Sequence, residues 1–252
     1  MGGLRLEQTS GQESAIALRL ENIATNLDAI YSRVDLPAED RTPIQLVCFG
    51  PSLRRTWELI DRTKPIATVS GAHDFLRERG ITPTYHVELD WRPHKARHVT
   101  NPKDTSFWLA SCCHPDLVNK VPGASLWHAE QTVEEVKFIK KREGQAFLVP
   151  GGSSAGLRAI ELFIARGCRH FEIFGMDSSF DEKFGGWAAQ HFGERRSAVV
   201  EMTYADRKFR TSFPFMIYAQ QFLTCRKLHP DVSFNHHGEG LLQTMIKTEK
   251  PV

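Results

Sequence analysis

The chain is poor in features that would assign it to a specialised class. No apolar run approaches the ~20 residues a membrane span requires, and the opening stretch MGGLRLEQTSGQES has no apolar core of the kind a secretory leader needs. Leu6 stands where a myristoylation signal would carry Ser or Thr. The expectation is a cytoplasmic protein with no membrane span. Net charge is only +2, and the basic runs RRT, KKR and RR are short and scattered. Such runs read as solvated surface and give no case for a nucleic-acid partner. The five cysteines, Cys48, Cys112, Cys113, Cys168 and Cys225, are odd in number and contain no C-x-x-C pair. Cys48 and Cys168 lie in or beside apolar segments, as buried free thiols do. The adjacent pair Cys112-Cys113 lacks a second cluster to complete a metal or redox site. Eleven histidines include no H-E-x-x-H, and neighbouring His236 and His237 would point to opposite faces of a strand. No metal site is expected.

What is present is ordinary for a globular protein: 41% hydrophobic and 25% charged residues over 252 positions, enough for one large domain or one domain with appendages. Within residues 13–33, Ile16, Leu20, Ile23, Leu27 and Ile30 recur at three- and four-residue spacing, which predicts an amphipathic helix. It ends before the polar linker LPAEDRTP. The division expected is a helix and linker over 1–40 and a main domain over 41–252, with the helix serving packing or a homo-oligomer.

From Ile44 onward, short apolar runs alternate with helical stretches: IQLVCF, IATVS, PTYHVELD, SFWLAS, ASLWHA, AFLVP and HFEIFGMD. Nearly continuous apolar strands separated by helices predict an α/β fold, a Rossmann-like, doubly wound, mostly parallel sheet with helices on both faces. Ligands of such sheets sit at the carboxyl ends of the strands, where strand order switches. Those ends carry Gly50-Pro51-Ser52, Ser70-Gly71, Glu88 to Asp90, Gly151 to Ser154, and Gly175 to Asp177.

Two of these corners share one design. Gly50, Pro51 and Ser52 join the run Ile44–Phe49 to a helical pattern from Leu53. Gly151, Gly152, Ser153 and Ser154 join AFLVP to AGLRAIELFIARG. A strand passing through glycine into a helix presents free N–H groups to an anion such as phosphate, while the serines can equally serve as simple helix caps. Glu88 and Asp90 fall on one side of a strand end, and Asp177 ends another. Carboxylates there can bind ribose hydroxyls, hold Mg²⁺ or act as bases; they can also only solvate a loop. His191 lies in the Gly-rich, aromatic stretch FDEKFGGWAAQHFGERR beyond Asp177, where a histidine can move protons.

Together these motifs resemble the MptE-like family of 6-hydroxymethylpterin diphosphokinase-related proteins. The resemblance rests on GPSL, on I-x-P-x-x-x-V-x-x-D across Ile81 to Asp90, on GGSSAGLRAIELFIARGCRHFEIFGMD with its following QH, and on the stretch Phe209 to Gly240. It runs from about Asn22 to about Ile246. It implies either Mg-ATP diphosphoryl transfer, as in the archaeal members, or the chemistry of bacterial motility accessory factors implicated in flagellin glycosylation. Glu88-Leu89-Asp90-Trp91 stands where the archaeal pattern has Asp-Leu-Asp-Gly, and a His-Gly-Asp-Asn segment is missing, so the bacterial branch is closer.

That branch in turn is similar to CMP-sialic-acid-dependent bacterial sialyltransferases, matched here by Gly50-Pro51-Ser52, Ser153-Ser154, Gly175-x-Asp177 and His191. The resemblance implies a nucleotide-sugar donor, CMP-linked by preference, and a glycan or protein hydroxyl as acceptor. Gly50, Pro51, Ser52, Ser70, Asp90, Gly152, Ser153, Ser154 and Gly175 would bind the nucleotide, with His191 and Asp177 catalytic and the need for Mg²⁺ left open. Tyr204 is the candidate for the tyrosine that steadies the leaving phosphate in those enzymes. A nucleotide-binding module without catalysis is the third reading.

Overall fold

A computed structural model describes residues 3–29, 32–121, 123–181, 183, 185–188 and 198–249. Its centre is an eight-stranded sheet built from β1 (Ile44–Val47), β2 (Ile66–Val69), β3 (Tyr85–Glu88), β4 (Ser106–Ala110), β5 (Ser125–Ala129), β6 (Leu148–Val149), β7 (His170–Phe174) and β10 (Ser233–His237). The order is β10-β7-β1-β2-β3-β4-β5-β6, and every pairing in it is parallel. The expected fold class is the observed one. All four residues of β1 are buried because the strand is covered on both faces, so its sequence is apolar apart from Gln45, whose amide is satisfied by the backbone of Asp61.

The helices are α1 (Gly3–Ala29), α2 (Leu53–Thr56), α3 (Ala72–Arg77), α4 (Pro115–Lys120), α5 (Val133–Glu143), α6 (Ala155–Ala165), α7 (Phe213–Leu228) and α8 (Leu241–Thr248). Ile44, Leu46 and Cys48 join the core that includes Leu157, Ile160 and Phe163 of α6. Val47 and Phe49 point the other way, toward Leu53, Phe75 and Leu76 of α2 and α3. Because β6 lies at one edge and β7 beside β1, α6 must cross back over the sheet, touching β1, β2 and β3. That reversal makes the gap between the ends of β1 and β7 the switch point.

α1 packs on α4 and α5 of its own chain. Ile23 and Leu27 are buried in the main core, while Ile16 and Leu20 are half-buried. Ile30, the last position of the expected stripe, lies outside the described residues. Two buried amides pin the helix: Asn22 donates to the carbonyls of Trp91 and Cys112, both at 3.0 Å, and Asn26 to those of Ser111 (2.9 Å) and Cys113 (2.7 Å). The linker is also attached, since Val34 N–H donates to Leu126 O at 2.9 Å and Ala38 N–H to Ala165 O at 3.0 Å.

An antiparallel hairpin, β8 (Val200–Tyr204) and β9 (Arg207–Thr211), stands outside the main sheet. It is tied to the exit of β7 by Phe180 N–H to Arg210 O (2.7 Å) and by the Thr211 hydroxyl to Ser178 O (2.8 Å).

Candidate active site

The carboxyl ends of β1, β2, β3, β6 and β7 surround a cleft of about 580 Å³, within the range of small-molecule sites. Its lining includes Gly50, Pro51, Ser70, Asp90, Ser153, Ser154, Gly175 and Asp177, so the expected strand ends converge on one space. Gly152 and Ser52 are outside that lining, each next in the chain to a residue within it, Ser153 and Pro51.

The first corner is a seam between two loops. Gly50 N–H donates to Gly175 O at 2.7 Å, and a Cβ on Gly50 would lie 2.4 Å from that oxygen and 2.5 Å from Asp177 Oδ2. Gly175 has φ +65, and a Cβ there would lie 2.3 Å from Cys48 O. Both glycines are therefore demanded by the approach of β1 and β7 to each other. Ser52 has helical dihedrals and makes no side-chain cap, which departs from the capping reading. α2 is only four residues long before it tightens into a 3₁₀ turn, so little dipole gathers at this corner.

Ser52 instead gives its backbone N–H to Asp177 Oδ2 at 2.8 Å. Asp177 is only 2% exposed. Burial pushes its carboxyl up to about 6, against the opposing pull of Ser52, Arg55 and Gln243. Among the described residues, Asp177 Oδ1 and Ser52 Oγ are buried without a hydrogen-bond partner.

The second corner opens a true helix. Ser154 is the N-cap of α6, its hydroxyl accepting from Leu157 N–H at 3.3 Å. Ser153 is held by Gln221 of α7 through both its N–H and its hydroxyl, each at 3.0 Å. A Cβ on Gly152 would lie 2.4 Å from Leu157 Cδ1, so this glycine too answers to packing. The buried Arg158 guanidinium donates to the carbonyls of Glu130, Val149 and Gly152 and fixes the turn from behind. The result is a rigid helix N-terminus, Ser153 to Leu157, facing the cleft.

Between these corners lies a cluster of four charges that sequence reasoning missed in part. Lys95, 6% exposed, donates to Ser70 Oγ at 2.9 Å and lies 3.5 Å from Glu88 Oε2 and 3.8 Å from Asp90 Oδ2. Arg92 forms a two-pronged pair with Asp90. Burial alone would raise the Asp90 carboxyl, but Arg92 and Lys95 outweigh it and hold the group below its ordinary value. Glu88 also accepts from the N–H groups of Leu89 (2.9 Å) and Asp90 (3.1 Å). The signal for Arg92 and Lys95 was the stretch WRPHKAR directly after the β3 end.

These carboxylates do not fit a Mg²⁺ pair as they stand. Asp90 is already engaged by two cations, and one oxygen of Asp177 is committed to the Ser52 amide. Cys112 and Cys113 lie beneath the same strand end, their thiols donating to Leu89 O (3.3 Å) and Glu88 O (3.4 Å). Burial raises both, Cys112 to about 12, so neither is a poised thiolate.

Aromatic side chains form the remaining wall: Trp91, Phe180, Trp187, Phe215 and Tyr218. Phe180 and Phe215 stack at 5.0 Å. Tyr204 is not in this wall; it sits on β8, where its hydroxyl accepts from Thr248 at 3.2 Å, so it cannot serve a phosphate in the cleft. The tyrosine at the site is Tyr218, half-buried, its hydroxyl raised by burial with Arg92 lowering and Asp90 raising it. His191 lies outside the described residues.

A family model described as 6-hydroxymethylpterin diphosphokinase MptE-like matches residues 19–183. Among solved structures, the chain is similar to the MAf glycosyltransferase from Magnetospirillum magneticum AMB-1, with a TM-score of 0.64 at 12% identity. The likeness, one of fold, covers 86% of this chain and 38% of that one. No curated protein matches the chain.

Proposed function

The chain belongs to the 6-hydroxymethylpterin diphosphokinase MptE-like family, and from that premise we propose that it is a nucleotide-dependent transferase. The reaction proposed is transfer of a glycosyl group from a nucleotide-activated sugar, CMP-linked by preference, to a hydroxyl of a glycan or protein. The observation that carries the reading is the meeting of three features in one cleft: the Lys95–Arg92 cations, the N-terminus of α6 and a wall of aromatic rings. Cations and helix amides suit the donor's phosphate, and the rings suit a stacked base. The resemblance to a glycosyltransferase fold agrees with this reading.

In the proposed step the acceptor oxygen attacks the anomeric carbon as the bond from that carbon to the phosphate oxygen breaks. The nucleotide leaves with the electron pair, stabilised by Lys95, Arg92 and the α6 amides. The acceptor's proton passes to His191, the proposed base, and configuration inverts. Asp177 holds the Ser52 corner in place from below. No metal takes part in this scheme: Glu88 and Asp90 are matched to Lys95 and Arg92, and Asp177 Oδ2 is held by the Ser52 amide.

Thermal unfolding with CMP, CDP, ATP and GTP, each with and without Mg²⁺, tests the assignment, since a bound ligand raises the midpoint. Cytidine nucleotides should stabilise the protein without metal. A response confined to ATP with Mg²⁺ would replace glycosyl transfer by diphosphoryl transfer, and no response to any would leave a silent module. His191→Ala should lower turnover by ~10²–10⁴-fold and leave nucleotide affinity within a few fold. Equal turnover in variant and wild type removes His191 from the mechanism.

A further inference from the structure

Away from the cleft, three side chains of different ligand type meet between α6 and α7: Glu161, Cys225 and His229. His229 Nε2 lies 3.1 Å from Glu161 Oε2, and one ligand atom from each of the three residues falls within 4.8 Å of the others. Cys225 and His229 are four residues apart, so one helical face presents both. The backbone bond from His229 N–H to Cys225 O, 3.1 Å, keeps that last turn wound. Glu161 comes from the facing helix. We propose that Glu161, Cys225 and His229 bind one divalent metal ion of intermediate softness, zinc above all, joining α6 to α7.

The donor set supports zinc over the other common ions. A thiolate and an imidazole exclude Mg²⁺ and Ca²⁺, which take oxygen ligands, whereas sulfur, nitrogen and carboxylate oxygen are all ordinary zinc ligands. Bond lengths of about 2.0–2.3 Å place the ligand atoms of a tetrahedral site roughly 3.3–3.8 Å apart. The three atoms are within about 1 Å of that spacing already. Charge also closes: a dication with one thiolate, one carboxylate and one neutral imidazole is electrically neutral. A neutral complex is what a setting as enclosed as Cys225 (6% exposed) and Glu161 (8% exposed) can hold without a large desolvation cost. His229 is partly exposed and gives the ion its way in, with water as the fourth ligand. On binding, the Cys225 thiol proton is released to solvent.

The site has a structural neighbour. A Cβ on Gly151 would lie 2.6 Å from Glu161 Cγ, so the backbone of the loop before the Ser153-Ser154 corner rests on the proposed ligand. Fixing Glu161 would stiffen that loop as well as the helix pair.

The test uses the full, untagged chain stripped with chelator and titrated with Co²⁺ alone, then with Zn²⁺. One equivalent of Co²⁺ should give a thiolate-to-cobalt charge-transfer band and tetrahedral ligand-field bands, both erased by Zn²⁺. Zn²⁺ should also raise the unfolding midpoint. Cys225→Ser should lose the charge-transfer band, and His229→Gln should weaken Zn²⁺ binding by at least roughly 100-fold while keeping the band at high Co²⁺. His229 is partly exposed, so its variant tests the site even where Cys225→Ser folds poorly. Binding below a tenth of an equivalent, a spectrum without a sulfur band, or His229→Gln binding Zn²⁺ as tightly as wild type overturns the proposal. None of these outcomes depends on the reaction assigned to the cleft.

Discussion

A buried carboxylate whose second oxygen meets no donor prefers to keep its proton, and Asp177 is such a group. Its pKa is raised to about 6, so the folded state binds a proton more tightly than the unfolded chain, where the ordinary value is 3.8. The stabilising contribution is therefore complete below the unfolded value and fades as pH rises through the folded one. Asp177→Asn keeps an oxygen for the Ser52 amide and removes the titration. The variant should gain on the wild type by about 2–3 kcal/mol between roughly pH 4 and pH 7, read from urea unfolding at each pH. A difference that does not vary with pH would mean Asp177 is ionised throughout. Lys95 poses the opposite case, a buried cation amid two carboxylates. Lys95→Met should cost about 3 kcal/mol, because Glu88, 1% exposed, loses its counter-charge. Adding Glu88→Gln should restore most of that loss. Additive losses in the double variant would show that the pair is not coupled.

At the scale of elements, α1 reaches the cleft without touching it. Asn22 holds the carbonyl of Trp91, whose ring lines the site, and Asn26 holds the turn after β4. Asn26→Ala leaves two buried carbonyls short of donors and should destabilise by about 2–3 kcal/mol in denaturant unfolding. Removing the helix entirely should lower ligand affinity as well as stability. A truncated chain that unfolds at the wild-type midpoint would mean α1 is an appendage. Seven of the eight strands of the main sheet were legible in the sequence because burial writes each as a mostly apolar run, whereas the edge strand β10, SFNHH, is exposed or half-buried along its length and carries no such run. Strand ends were legible for the same reason, since the run stops at glycine, serine or acid. The β8–β9 hairpin was not legible. Its two-residue turn is Ala205-Asp206, with φ of +47 and +59, where the recognisable signal is Asn-Gly. Its β8 strand is also mostly exposed or half-buried, so no apolar run marks it. Arg92 and Lys95 escaped because basic residues in a polar stretch read as surface, and only the fold turns them inward. The Glu161, Cys225 and His229 cluster joins two helices distant in sequence, and its sole local trace is Cys-x-x-x-His at the end of α7.

For the molecule as a whole, the reversal of strand order at β1 divides the sheet into two wings that share one cleft. A nucleotide gripped there should slow hydrogen exchange in both wings at once: at 48–56 beyond β1, at 152–158 around the start of α6, and at 175–180 beyond β7. The β8 strand, which contributes no residue to the lining, should exchange as before. Protection confined to one wing would place the ligand elsewhere. Another consequence comes from the far margin of the sheet. β6 is two residues long and runs directly into Pro150, which has no N–H to offer. An all-parallel sheet is assembled from distant segments, so its unfinished edges stand open for long during synthesis. A flank this short gives a second nascent chain almost no ladder to extend. The sheet's two margins therefore differ in what they offer a passing chain: two residues at β6, against five at β10.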